Sequence, residues 1–536
     1  MLITVYGAKC VGVNAVRVSV EINIDRGIGI HLVGLADVAV KESLLRTTTA
    51  LQAIGYQIPG KRIVINLAPA DLHKNGSGYD LPIAVGIIAA SGQRDLPLAG
   101  KFLIMGELGL DGSVRDIAGA LPFAELASLE GLDGVILPET SAIEAAELHQ
   151  GKVYGVRTLD EAVRILSGEE CDELLVWNSP HYKRLVESQE ARSRAFSLAG
   201  VPDFADIIGQ EGAKRGMEIA AAGGHNISMI GPPGSGKSSL AKALGGILPP
   251  MTREESLETS KIFSIAGKGN LRFGLMNTRP FRAPHYSASL VAIIGGGAGD
   301  NIIPGEVSLA HNGVLFCDEA GQMPRSVIEA LRGPIEDRKV TISRLKAKVE
   351  YPSSFMLVLA SNPCPCGYWG VGERCTCTPT QRLNYLSRLS GPIMDRIDIQ
   401  LLVPCLPAAE LARLREAPGL ARPESSAVVG ARVAAARSIQ QRRLHGTGIY
   451  TNAEMDNKLI ERFCPLDATC RDLMVTLMEK LGLSMRAYFR IIKVARTIAD
   501  LEAAASGLQE TVPIRPEHLS EAATYRFLDR AQKAGF

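Results

Sequence analysis

Apolar residues occupy every second position of "VRVSVEINI" (Val16 to Ile24), which predicts a strand with one face in a core. "VKESLLRTTTALQAIG" reads as a helix. "KRIVINLAPADL" returns to a strand. "DLPIAVGIIAASG" is apolar enough for a buried helix stopped by glycine, and "GVILPE" near position 135 is a further short strand. This alternating block is expected to end at residue 168, at "SGEE". The polar run "NSPHYKRLVESQEARSRAFSLAG" then predicts a linker, so residues 1–168 form one α/β domain and 169–200 connect it onward.

A second block opens at "DFADIIGQEGAKRGMEIAAAGG". Its apolar runs "ISMIG", "GVLFCDE", "SFMLVLASN" and "RIDIQLLVP" alternate with helical patterns. That order predicts a parallel sheet with crossover helices over residues 201–406. From "AAELARLREAPGL" onward the periodicity is helical, which predicts a helical third domain over 407–536.

Composition narrows the setting. A chain of 536 residues is too long for one core, and 46% hydrophobic with 21% charged residues fits a soluble globular class. Lys plus Arg is 58 and Asp plus Glu 57, so no overall field draws the protein to nucleic acid or membrane; any such surface is a local patch. No apolar run approaches the roughly 18 residues of a membrane span. The opening "MLITVYGAKC" lacks the charged-then-apolar order of a secretory signal, so the expected location is the cytoplasm, without membrane contact. Ten cysteines in that compartment are metal ligands or buried thiols rather than disulfides.

The strongest chemical signal is "GPPGSGKS": Gly231, Pro232, Pro233, Gly234, Ser235, Gly236, Lys237 and Ser238, followed by Ser239. It fits G-x-x-x-x-G-K-[ST], with strand "NISMI" before it and helix "SSLAKALGGIL" after it. Glycines let the backbone curl so that several N–H groups face one phosphate. Lys237 is expected at the β- and γ-phosphates of ATP and Ser238 at Mg²⁺. In "GVLFCDEA" an apolar strand ends in two carboxylates. Asp318 can face the Mg²⁺, and Glu319 can orient or deprotonate the attacking water. Asn362 ends "SFMLVLASN", where it either senses the γ-phosphate or simply starts a turn before Pro363. Arg396 in "SGPIMDRIDIQ" and Arg486 in "LSMRAYFRIIKVARTIADL" are candidates for charge against the transition state. The plainer reading of Arg396 is a surface ion pair with Asp395 or Asp398.

These segments, with "NLAPADLHKNGSGYDLPIA", "RPFRAPHYSAS", "GEVSLAHNGVLFCDE", "NPCPCG" and "SGPIMDRID", resemble the Mg-chelatase-like AAA+ ATPases, most closely the ComM/YifB family, over nearly the whole chain. The resemblance implies a Lon-protease-like N-terminal α/β domain, an AAA+ P-loop core and a C-terminal helical lid. It implies Asn362 as the γ-phosphate sensor, Arg396 as a finger acting on a neighbouring subunit, worth roughly 10³ to 10⁵ in rate, and Arg486 as the lid's sensor. Ile207 and Ile208 fall where such proteins cover adenine. The family is associated with a hexameric helicase that moves DNA branches and integrates incoming strands in natural transformation. A motor subunit of a magnesium chelatase is the alternative. An ATP-dependent protease is a third reading, disfavoured because Gly78 stands where Lon proteases carry the nucleophilic serine and Leu121 where they carry the lysine; Ser77 is one position off.

Two further clusters stay open. "DRKVTISRLKAKVEYPSSF" reads as a hairpin on which Arg344, Lys346 and Lys348 share a face. A ring of such faces would track the phosphates of branched or single-stranded DNA, and the alternative is a solvated edge. Cys364, Cys366, Cys375 and Cys377 form C-x-C, eight residues, C-x-C. They either hold a structural Zn²⁺ tetrahedrally or are reduced thiols in a loop.

Overall fold

The computed structural model describes residues 2–35, 37–74, 76–148, 151–186, 200–268, 275–297, 302–343, 348–389, 391–406 and 423–526. The N-terminal domain is built on a seven-stranded mixed sheet of β1 (Leu2–Val11), β2 (Asn14–Asp25), β3 (Gly29–Val33), β4 (Arg62–Ala68), β5 (Phe102–Ile104), β6 (Gly134–Pro138) and β7 (Lys152–Val156). Their order is β3-β4-β2-β1-β5-β6-β7. The alternation in β2 does what the pattern requires: Val18, Val20 and Ile22 are buried. Helices α2 (Asp80–Ser91) and α3 (Ala120–Leu129) pack on the sheet, and α1 (Val38–Ala53) packs against α2. Helix α2 is the expected buried helix, buried from Asp80 to Ala90 and closed by Gly92 at φ 72°.

The expected linker starts too early. Cys171, Leu175 and Val176 are buried in the N-terminal core, with Trp177, Tyr182 and Leu185 packed against it. The polarity of this stretch hides apolar side chains spaced widely enough to reach the core one at a time. Residues 187–199, the rest of that linker, lie outside the described residues.

The second domain holds a five-stranded sheet in which every pair is parallel. Its strands are β8 (Ile227–Ile230), β9 (Phe281–Arg282), β10 (Val314–Cys317), β11 and β12 being a separate hairpin (Lys339–Ser343 and Lys348–Pro352), then β13 (Met356–Ser361) and β14 (Ile399–Leu402). The sheet order is β9-β10-β13-β8-β14. The sequence pattern anticipated four of the five; β9, two residues long, was too short to show. Helices α4 (Glu211–Gly223), α5 (Lys237–Ala243), α6 (Arg253–Ala266), α7 (Arg332–Asp337) and α8 (Pro379–Leu386) surround it. The C-terminal part is helical as expected: α9 (Ser426–Arg443), α10 (Asn457–Phe463), α11 (Ala468–Leu481), α12 (Met485–Ala505) and α13 (Pro516–Thr524). One core serves both: Ile227, Met229, Val358 and Ile399 of the sheet cluster with Val433, Ile491, Ile498 and Leu519 of the helices. Among the described residues no helix is long and apolar enough to cross a membrane.

A small apolar cluster joins the first domain to the second, with Leu121 from α3 against Ile262, Phe263 and Leu309. Lys261 Nζ lies 2.5 Å from Glu125 Oε1 across the same seam.

Candidate nucleotide site

The turn after β8 places the glycine-rich segment at the C-terminal end of the parallel sheet, where open α/β sheets bind ligands. Gly234 and Gly236 take φ of 75° and 94°, which a side chain resists, so the curl of the backbone depends on them. Ser235 is nearly buried and its Oγ has no partner within the protein. A buried orphan hydroxyl in a curled, N–H-rich loop fits an anion with acceptor oxygens.

Lys237 Nζ donates to the carbonyls of Gly231 (2.6 Å) and Pro232 (2.9 Å) and to Asn362 Oδ1 (3.4 Å). Burial holds its pKa below the usual lysine range, while Asp318 and Glu319 pull the other way. A phosphate would add counter-charge beside an ammonium that burial disfavours. Ser238 Oγ donates to Asp318 Oδ2 at 2.7 Å, bringing together two residues 80 apart in sequence. A hydroxyl and a carboxylate converging at a phosphate cradle are hard oxygen donors suited to Mg²⁺. Glu319 follows with φ of 49°, and its N–H donates to Asp318 Oδ1 at 2.9 Å. A left-handed backbone at a non-glycine residue is costly, and here it falls directly after the residue that meets Ser238. The apolar pattern of β10 gave no sign of it.

Ile207 packs on the shared core and Ile208 is half-buried. Gln210, just beyond them, donates to Pro404 O (2.7 Å) and Ser235 O (3.4 Å), tying that segment to the cradle. Ser239, the third residue of α5, is exposed.

Arg396 and Arg486 are elsewhere. Ile227 of β8 pairs with Ile399 of β14, and Ile230 pairs with Leu402. The cradle leaves the far end of β8, whereas Arg396 precedes the near end of β14. The four residues of β8 alone span about 13 Å. Arg396 is nearly buried and is bonded to Glu336 and to Pro392 O (2.5 Å). It pairs with neither Asp395 nor Asp398. Asp395 pairs instead with exposed Arg486 at 3.4 Å, and Asp398 with Arg490. The sequence could not show Glu336, which lies on α7, sixty positions earlier. Around Arg396 a cavity of about 480 Å³ is lined by Arg338, Arg437, Arg490 and Lys493 together with Glu255 and Glu454. Buried His225 links this end to the lid through Thr497 Oγ1 (2.8 Å) and Asp398 Oδ2 (3.3 Å). Burial raises the Asp398 carboxyl, but Arg490 and His225 outweigh it and hold the group well below the usual carboxylate range.

The hairpin forms as expected, with Ser343 opposite Lys348. Val340, Ile342, Val349 and Tyr351 are buried, leaving Lys339, Thr341, Lys348 and Glu350 outward. Glu350 takes up Lys339 at 3.2 Å, so the outward face is only partly cationic. Arg344 and Lys346 lie outside the described residues.

The four cysteines converge. Their Sγ atoms all lie within 4.8 Å of one another. Cys364 to Cys366 is 3.3 Å, Cys364 to Cys375 3.8 Å and Cys366 to Cys375 3.7 Å. A tetrahedron with Zn–S of about 2.3 Å has edges of about 3.8 Å. The set therefore fits Zn²⁺ in number, donor type and spacing, and all ten cysteines of the chain are free of disulfides.

In the N-terminal domain the protease positions are filled otherwise. A Cβ on Gly78 would lie 2.9 Å from Met105 Cε, and Ser77 Oγ is bonded to Glu107. Leu121 is fully buried in the apolar seam.

Three family models match in succession: residues 20–141 match "Subunit ChlI of Mg-chelatase", 203–411 "Magnesium chelatase, subunit ChlI", and 423–526 "Magnesium chelatase, subunit ChlI C-terminal". The uncharacterized protein YifB of Escherichia coli K12 is 41% identical over 98% of this chain and 97% of its own. The competence protein ComM of Haemophilus influenzae is 41% identical over 99% of this chain and 98% of its own. An archaeal Lon protease of Methanocaldococcus jannaschii is 29% identical over 27% of this chain and 22% of its own.

Proposed function

Since the chain belongs to the ComM/YifB family of magnesium-chelatase-like AAA+ ATPases, we propose that it is a ring motor, a homo-hexamer that spends ATP on moving branched DNA in recombination or natural transformation. Lys237 and the cradle bind the triphosphate, Ser238 and Asp318 hold Mg²⁺, which screens phosphate charge when bound, Glu319 aims the attacking water, and Asn362, beside Lys237, reads the terminal phosphate. One observation carries the ring: Arg396 and Arg486 stand at the opposite end of the sheet from their own cradle. They can serve a nucleotide only on an adjacent copy. For Arg486 this revises the expected role, from its own lid's sensor to a group acting across the subunit boundary. The four thiols hold a structural zinc.

The competence name of the Haemophilus relative and the hairpin's outward Lys348 support DNA as the partner. Such a motor works in the cytoplasm. The magnesium-chelatase models support a second reading, a chelatase motor subunit with the same ATP chemistry. ATP turnover measured with and without branched DNA, beside a strand-displacement assay, separates the two. DNA stimulation with displacement is the expected result; turnover indifferent to DNA overturns the helicase reading. Replacing Arg344, Lys346 and Lys348 by Ala together should weaken DNA binding and flatten its salt dependence, and an unchanged slope would remove the hairpin from the DNA path.

A further inference from the structure

The loop that carries the four cysteines also touches the phosphate cradle. Gly367, directly after Cys366, has φ of 84°, and a Cβ there would lie 2.8 Å from Cδ and 2.9 Å from Cγ of Pro233. The same Cβ would be 3.8 Å from Cγ of Asn362. One backbone turn thus sits against both a residue of the cradle and the side chain that meets Lys237. Only glycine permits this conformation at this closeness.

Regular structure does little to hold that turn in place. Between the end of β13 at Ser361 and the start of α8 at Pro379, the only regular structure is a three-residue 3₁₀ turn, Gly372–Arg374. Of this segment Pro363, Cys364 and Gly367 are buried, and the rest is half-buried or exposed where described. Local ties include Gly367 N–H to Cys364 O (3.0 Å), Trp369 N–H to Cys364 Sγ (3.4 Å), Val371 N–H to Tyr368 O (3.0 Å), and the Arg382 guanidinium 5.5 Å from the Trp369 ring. The first two converge on Cys364, a member of the thiol cluster. In a stretch without a strand ladder, whatever binds the four sulfurs fixes the turn that carries Gly367.

We propose that the zinc held by Cys364, Cys366, Cys375 and Cys377 is a clamp on the phosphate cradle: it presses Gly367 against Pro233, seats Asn362 beside Lys237, and so sets the affinity for the triphosphate. A metal classed as structural then governs nucleotide binding, and loss of the ion loosens the cradle without touching Lys237, Ser238 or Asp318. The clamp rests on the zinc reading given above, and the two can fail separately.

The test uses the full chain, purified without chelators, with metal content measured by elemental analysis and affinity by titration with a fluorescent ATP analogue. The wild type is expected to carry one zinc per chain. Cys375→Ser should lose the metal and weaken nucleotide binding by roughly tenfold or more. Gly367→Ala should keep the metal yet weaken binding comparably, because its Cβ pushes Pro233 away. In case Cys375→Ser fails to fold, the wild-type protein is stripped with a chelator and reloaded. Affinity should fall and return with zinc, and cobalt in its place should show the intense visible bands of a tetrahedral thiolate site. Nucleotide affinity unchanged in both Gly367→Ala and the stripped protein overturns the clamp while leaving the zinc. A wild type free of metal that takes up neither zinc nor cobalt overturns the zinc, and the clamp with it.

Discussion

At Glu319 the backbone turns left-handed directly after the strand that delivers Asp318, and of the two neighbouring carboxylates Asp318 is the one that bonds Ser238. Their chemistry separates accordingly. Glu319→Gln keeps the shape and loses the charge, and it should bind ATP with near wild-type affinity while turnover falls by roughly 10² or more. Isothermal titration beside a phosphate-release assay checks this, and normal turnover removes Glu319 from the mechanism. The identities of Lys237, Ser238 and Asp318 were legible in sequence because a glycine-rich turn between strand and helix, and an apolar run ending in acids, are local patterns. The partner of Arg396 was not. Glu336 enters from another helix, and no spacing rule links the two. Arg486 was legible as a residue but not as a position, because the end of the sheet it occupies depends on how the lid packs.

Among elements, α7 and the β11–β12 hairpin form a continuous unit: Glu336 is the penultimate residue of α7, and β11 starts at Lys339. A load on the hairpin therefore reaches the carboxylate that holds Arg396. Glu336 is half-exposed while Arg396 is nearly buried; under the ring proposal the carboxylate restrains a guanidinium meant for a neighbouring nucleotide. Glu336→Gln should raise ATP turnover in the absence of DNA by several-fold and shrink the further stimulation by DNA. A loss of turnover matching that of Arg396→Ala would show instead that Glu336 aims the guanidinium. Most strands were readable at this scale, since burial on one or both faces writes a period into the sequence. The first strand was not: Gly7 and Lys9 interrupt "LITVYGAKCV", yet ten rungs with β2 and burial of Val5 hold it in place.

Across the whole molecule, the seam between the N-terminal domain and the ATPase core contains a titratable group. Burial pushes the Glu144 carboxyl up to about 7, against the pull of neighbouring Ser264 and the Leu121 backbone. The unfolded value is about 4.3. The folded seam thus binds the proton more tightly than the unfolded chain. Its stabilisation is fully present below about pH 4.3 and is lost as pH rises through about 7, a loss on the order of 3 kcal/mol. Glu144→Gln should raise thermal stability at pH 8 and make little difference near pH 5; equal melting temperatures for both proteins at pH 8 would show that the seam tolerates the charge.

The sheet and the C-terminal helices bury their apolar residues in common, from Ile227 and Met229 to Ile491 and Leu519. Swinging one against the other would wet that interior at about 25 cal/mol for each Å² uncovered, on every turn of a repeating engine. The ATPase sheet and its lid therefore travel as a solid block. In the ring proposed above, whatever displacement hydrolysis produces would have to surface as slippage between one block and the next, and Arg396 and Arg486 would be placed to register it.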